Sequence, residues 1–152
     1  MNRENEMNIE IRQGTIDDVI IVDRQIPEFD ARNNKAKITQ RLNGLEYLIL
    51  IAFDNHEPVA YKMGYQLSSV EFYSWLGGVI PRYRKIGIAT QLRCTQESWV
   101  KALGYHKVSV KSMNRYPAML QLLISSGYHI SGYEDEGSTQ NSKIKFEKSI
   151  TK

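Results

Sequence analysis

An apolar run stopped by a proline, followed by a basic glycine turn and then by helical periodicity, leaves a chain little conformational choice. Residues 77–92, GGVIPRYRKIGIATQL, have that form. Pro81 cannot donate to a sheet ladder, so a strand ends there. Beyond the turn Ile88, Leu92, Trp99 and Leu103 recur at helical spacing until Gly104. A strand, a turn and a helix in this order bring the unpaired N–H groups of the first helical turn to one point, where the helix dipole adds positive charge. Arg84 and Lys85 add formal charge beside it, Gly87 has no Cβ to hold an anion off the backbone, and Ala89 keeps the first turn low. These residues together predict a polyanion site at a helix start.

The remaining chain reads as alternating short elements. Residues 8–14 alternate as a strand, and Thr15 with Asp18 three residues on opens a helix that runs to about Gln25, before Pro27. Residues 27–34 read as loop and 35–44 as a short polar helix. Two β-type runs, 46–54 and 59–67, flank the turn DNHEP as a hairpin. A strand over 70–80 places Glu71, Tyr73 and Trp75 on one face. After the long helix come a strand at 106–112, a helix from Pro117 to Gly127, and two closing strands at 128–134 and 142–150. The predicted order, β-α-α-β-β-β-α-β-α-β-β, is an α/β fold: a mixed sheet of about seven strands with about four helices on its faces.

At 152 residues the chain suits one domain over 1–152, with 1–6 expected to be a disordered lead-in. A net charge of +3 and the lack of a recognition helix argue against a nucleic-acid partner. No stretch approaches the ~18 apolar residues of a membrane span, so no membrane association is expected. Cys94 is the only cysteine, which excludes an internal disulfide and fits a reducing, cytoplasmic setting; it is expected to pack. His56, His106 and His129 lack metal-ligand spacing, so no metal is expected.

Neither G-x-x-x-x-G-K-[ST] nor G-x-G-x-x-G occurs at the basic turn. What stands there is Arg84-x-x-Gly87-x-Ala89, preceded by Val79-x-Pro81 and followed by Leu92. This resembles the acetyl-CoA pyrophosphate motif of the GCN5-related N-acetyltransferase (GNAT) family, and the predicted element order, over nearly the whole chain, is the one that family shows. Its fold is mostly antiparallel. A second stretch, KSMNRYPAMLQLLISSGY, is similar to the family's asparagine-to-glycine segment, with Asn114 and Gly127-Tyr128 at its ends and two more residues between them than in many members.

The resemblance implies acetyl-CoA as co-substrate and an amine as acceptor, held by Gly77, Gly78, Val79, Arg84, Lys85, Ile86, Gly87, Ile88, Ala89, Thr90 and Asn114, with no metal. Gly77 and Gly78 suit close approach of the pantetheine arm, and a backbone N–H near Gly78 or Val79 suits the thioester oxygen. The family's base position falls on Tyr73; Glu71, two residues earlier on the same face, is the expected base, with Tyr73 lining the acceptor site. The tyrosine that usually protonates the leaving thiolate is replaced by Leu123, which leaves Tyr116, Tyr128 or water to serve. Glu28, Asp30, Glu134, Asp135 and Glu136 lie in the loops that commonly border the acceptor cleft, either attracting a cationic amine or as solvated charges. The expected activity is N-acetyl transfer to a primary amine of a small molecule or peptide. A catalytically inactive acyl-CoA-binding module is the alternative, and a homodimer is left open.

Overall fold

The computed structural model describes residues 7–29 and 33–151; the expected lead-in over 1–6 and the loop residue Asp30 lie outside them. All eleven predicted elements form, in the predicted order: β1 (Ile9–Gln13), α1 (Ile16–Asp23), α2 (Lys35–Leu42), β2 (Tyr47–Asp54), β3 (Glu57–Gln66), β4 (Glu71–Val79), α3 (Ile88–Ala102), β5 (Lys107–Met113), α4 (Pro117–Ser125), β6 (His129–Glu134) and β7 (Lys143–Ser149). Two short 3₁₀ turns, Pro27–Phe29 and Pro81–Tyr83, stand where the sequence predicts only loop. The seven strands hydrogen-bond in the order β1-β2-β3-β4-β5-β7-β6. The pairs β1–β2, β2–β3, β5–β7 and β7–β6 are antiparallel, and β4–β5 is parallel. No helix among the described residues is long and apolar enough to cross a membrane.

The chain divides into two compact units. One holds the described residues up to Tyr65 with Leu76–Ser98, the other Gln66–Trp75 with the described residues from Trp99 onward. In the first, Thr15 and Asp18 close a capping box on α1: the Asp18 N–H donates to Thr15 Oγ1 and the Thr15 N–H to the Asp18 carboxylate. The helix ends at Asp23, two residues short of expectation, because beyond the Arg24 N–H, which still reaches Ile20, those of Gln25 and Ile26 bond three residues back and tighten the last turn. Asn34 caps α2 through the Lys37 N–H. Between Asp54 and Glu57 the β2–β3 hairpin turns through Asn55 and His56, both at positive φ, the backbone a two-residue hairpin demands. Leu48–Phe53 of β2 are buried without a break and, with Val19, Val22, Ile38 and Met63, build this unit's core.

In the second unit β5 and β7 pair along their full length, and β6 pairs outside β7 with an irregularity between Ile130 and Gly132. Phe72, Val108 and Phe146 are buried on one side, with Trp99 and Tyr105 edge-on to Phe72. Leu123, the residue at the expected acid position, is a buried side chain of α4. Leu123→Ala is therefore expected to cost roughly 2–5 kcal/mol of stability. A denaturation midpoint equal to that of the unaltered protein would remove Leu123 from the core.

Candidate functional site

The basic turn is held by its own side chains. Tyr83 Oη donates to Asp54 Oδ2 at 2.6 Å, tying the turn to the end of β2. That bond, then burial and the Asp54 charge, push the phenol up from its ordinary value. Arg84 Nε donates to the Val79 carbonyl at 3.1 Å, and its guanidinium meets the Glu28 carboxylate at 2.9 Å. Arg84 thus braces the strand end to the α1–α2 loop. Lys85 is exposed, has positive φ, and has no ion pair among the described residues, so it is a cation the turn leaves available.

The Gln91 N–H donates to the Gly87 carbonyl as α3 begins. Gly87 has φ +90, and a Cβ built there would meet nothing within 4 Å. Its backbone conformation requires glycine, and the space in front of it is open. Gly87, Ala89 and Thr90 are exposed, while Ile88 turns its side chain into the core, leaving only its backbone to the turn; Ile86 is exposed on the other side of Gly87. An N–H-rich, solvent-open helix start beside Lys85 can bind phosphate oxygens. The residues present fit the expected pyrophosphate.

The two glycines of β4 differ. A Cβ on Gly78 would stand 2.7 Å from Ile26 Cδ1 and from Phe29 Cε2, so packing alone requires glycine there. At Gly77 a Cβ would meet Tyr61 O at 3.4 Å and Lys62 Cγ at 4.0 Å, ordinary contacts, and the residue is exposed. Room for a ligand is therefore an explanation needed only at Gly77. The parallel ladder of β4 with β5 covers Glu71–Ser74 and Lys107–Val110; Gly77, Gly78 and Val79 lie beyond it.

Of the residues in the second unit, Glu71 departs most from expectation. Its side chain, only 13% exposed, lies 3.7 Å from Lys107 Nζ and 3.3 Å from Lys145 Nζ, and Glu147 bridges the same two lysines at 3.2 and 3.5 Å. Burial alone would raise the Glu71 carboxyl. The adjoining Ser109 hydroxyl and the charges of Lys145 and Lys107 outweigh burial and hold it below the ordinary 4.5. A carboxylate neutralised by two ammoniums is a weak proton acceptor, which runs against the expected base role. Glu71→Gln is expected to destabilise the protein by about 1–2 kcal/mol at neutral pH and to change turnover less than about five-fold. Because the folded-state value is depressed, the stability Glu71 contributes is complete above 4.5 and is lost as pH falls below it. The gap between the two proteins should then close in acid urea titrations, and a gap that persists at low pH would contradict the ion lattice.

Tyr73 carries Lys111 Nζ 5.9 Å from its ring centre. Asn114 donates its side-chain amide to the Thr139 carbonyl at 3.0 Å, so it holds the β6–β7 connection. Tyr116 stands at the N-terminus of α4, about half exposed, with Arg115 over its ring. Tyr128 is buried. Of the loop acids, Glu134 pairs with Lys111 at 2.8 Å, and Asp135 Oδ1 accepts from the Gly137 N–H. Cys94 lies exposed on α3 rather than packed.

Two groups carried no sequence signal. Asp23 is buried and accepts from Tyr61 Oη at 2.8 Å and from Asn33 Nδ2 at 3.0 Å. Lys62 stands in β3, and burial pushes it down to about 8.

The strand order, the parallel β4–β5 step and the turn that opens α3 define the fold of the GNAT acetyltransferases. No protein-family model matches the sequence, and no curated protein does. Solved structures do match. The ribosomal-protein-S18-alanine N-acetyltransferase from Escherichia coli superposes with a TM-score of 0.81 at 14% identity, over 95% of this chain and 96% of that one. A GNAT family acetyltransferase from Elizabethkingia anophelis with acetyl-CoA bound gives 0.75 at 18% identity, over 93% and 98%. The PaiA N-acetyltransferase from Thermoplasma acidophilum in complex with coenzyme A gives 0.73 at 16%, over 94% and 99%.

Proposed function

We propose that this protein is an acetyl-CoA-dependent N-acetyltransferase whose acceptor is a primary amine of a small molecule or peptide. The observation that carries the reading is the solvent-open helix start at Gly87, left-handed and without a Cβ, with Lys85 beside it. The fold shared with structures that hold acetyl-CoA or coenzyme A supports it.

In this reading the N–H groups of Gly87, Ile88, Ala89 and Thr90 bind the pyrophosphate with Lys85 and the Ile86 backbone, and Arg84 keeps the turn in shape. The exposed backbone at Gly77 receives the pantetheine arm, and an N–H near Gly78 or Val79 polarises the thioester carbonyl. The thioester supplies the acyl group. In the second unit, Tyr73 and Tyr116 are the side chains proposed for the acceptor and for proton donation, and Asn114 is proposed to act through the loop that it holds. The acceptor enters as the free base, since Glu71 is committed to Lys107 and Lys145. Turnover then rises with pH along the titration of the acceptor amine.

The test is calorimetric titration with acetyl-CoA together with thiol release over a panel of amines and peptides. Binding that weakens with salt, with amine-dependent thiol release, is the expected result. Absence of binding ends the reading. Binding without turnover on any amine selects the inactive acyl-CoA-binding module, which the buried Leu123 at the acid position would then explain.

A further inference from the structure

Strand β6 is the last in the sheet order and stands at an open edge. Its backbone bonds to β7, and no other backbone partner of residues 129–134 lies among the described residues. Such an edge presents a row of unpaired N–H and C=O groups. The sequence of β6, HISGYE, has neither the proline nor the lysine that commonly keeps another strand away. Its one guarding feature is a bulge. His129 and Ile130 stand opposite Glu147 and Phe146, but the next residue paired, opposite Lys145, is Gly132 rather than Ser131. The extra residue shifts the alternation, so His129, Gly132 and Glu134 share the face of Glu147, Lys145 and Lys143. Ile130 and Tyr133 share the face of the buried Phe146, yet are themselves 62% and 56% exposed. Helix α4, which leads into β6, adds Met119, Leu122 and Ile124 to the exposed apolar surface of this unit.

We propose that β6 is a homodimer interface: two copies of this chain pair β6 with β6, antiparallel, about a two-fold axis perpendicular to the sheet. Such an axis keeps each face of the strand beside the same face of the second copy. One register matches the side chains. It sets His129 opposite Glu134 of the second copy and Ile130 opposite its Tyr133, and by symmetry each pair occurs twice. The bulge makes this register possible, because residues 129 and 134, five apart, share a face only through the extra residue. Each imidazole N–H then donates to a carboxylate that Lys111 already holds at 2.8 Å, and each exposed isoleucine covers an exposed tyrosine ring. At the centre Ser131 meets Gly132, where a Cβ would meet only Lys145 Cβ within 4 Å, so no bulky side chain stands at the crossing point. A second copy is the partner because the complementarity is internal to β6: its donor matches its own acceptor, and its aliphatic residue its own aromatic one. The proposal is independent of the acyl-CoA reading.

The experiment is sedimentation of the full chain from about 1 to about 100 μM, with amide hydrogen exchange at both limits. The expected result is a monomer–dimer equilibrium in which β6 amides exchange more slowly at the higher concentration. Ile130→Lys, at a site exposed within one copy, should raise the dissociation constant at least about ten-fold and leave thermal unfolding of the monomer nearly unchanged. Cross-linking tests the register, with the exposed Cys94 replaced by serine. Ile130→Cys mixed with Tyr133→Cys should form a disulfide between copies on oxidation, since opposed residues of paired strands lie within its reach. Neither variant alone should, because like residues are offset along the strand by roughly 7–10 Å. A monomer at about 100 μM overturns the proposal. If its β6 amides are protected, the chain covers the edge itself; if they are open, the edge is left to a different partner. A dimer indifferent to Ile130→Lys, or one that cross-links no better in the mixture than in either variant alone, overturns it too.

Discussion

Gly87→Val is expected to reduce acetyl-CoA affinity by at least about 10²-fold while the protein still folds. Two effects act at this residue. Its φ of +90 lies where a β-branched side chain is strained, at roughly 1–3 kcal/mol, so the turn must move to accept valine. The N–H groups that follow then no longer converge. Each charge-assisted bond from backbone to phosphate contributes about 1.5–3 kcal/mol, and losing two accounts for the expected drop. Since nothing lies within 4 Å of the added Cβ, the substitution breaks no core packing, and thermal unfolding should shift by only a few degrees. Gly87→Ala should fall between valine and the unaltered protein. Unchanged affinity in Gly87→Val would place any acetyl-CoA site elsewhere in the molecule.

The fold was legible because its signals are local. The Thr15–Asp18 box, the Asn55–His56 turn, Pro117 at the start of α4 and the glycines after α2, α3 and α4 act within a few residues, and all eleven elements form in the predicted order. The helix start at Gly87 was legible for the same reason. What the sequence concealed depends on partners far along the chain. Glu71 faces where alternation puts it, but its character is set by Lys107, Lys145 and Glu147, from strands at least 36 positions away. Arg84 belongs to a motif, yet its guanidinium is directed by Glu28. Gly78 looks like a companion of Gly77 until Ile26 and Phe29 are packed against it. Lys62 is the extreme case, since burial by residues of other strands and of α3 changes its chemistry without changing its local pattern.

Lys62→Met is expected to stabilise the protein by roughly 2–3 kcal/mol at neutral pH, an unusual sign for a substitution in a strand. Methionine keeps the unbranched stem and adds no charge, so it fills the space beside Tyr61 and Gly77 without the cost of a half-buried ammonium. The effect must depend on pH in a defined direction. The unfolded chain holds the lysine proton up to the ordinary 10.5, the folded chain only to about 8. Between those values the unfolded state binds more protons, so the unaltered protein gains stability as pH rises, while below 8 both states are charged and the full penalty applies. The advantage of Lys62→Met should therefore be largest at pH 7, shrink from pH 8 upward and nearly vanish by 10.5. Urea titrations of the two proteins across that range measure the difference directly, and other titrating groups cancel because both proteins share them. Equal stability at pH 7, or a difference that does not change with pH, would mean that water or a rotated side chain solvates the ammonium in the folded state.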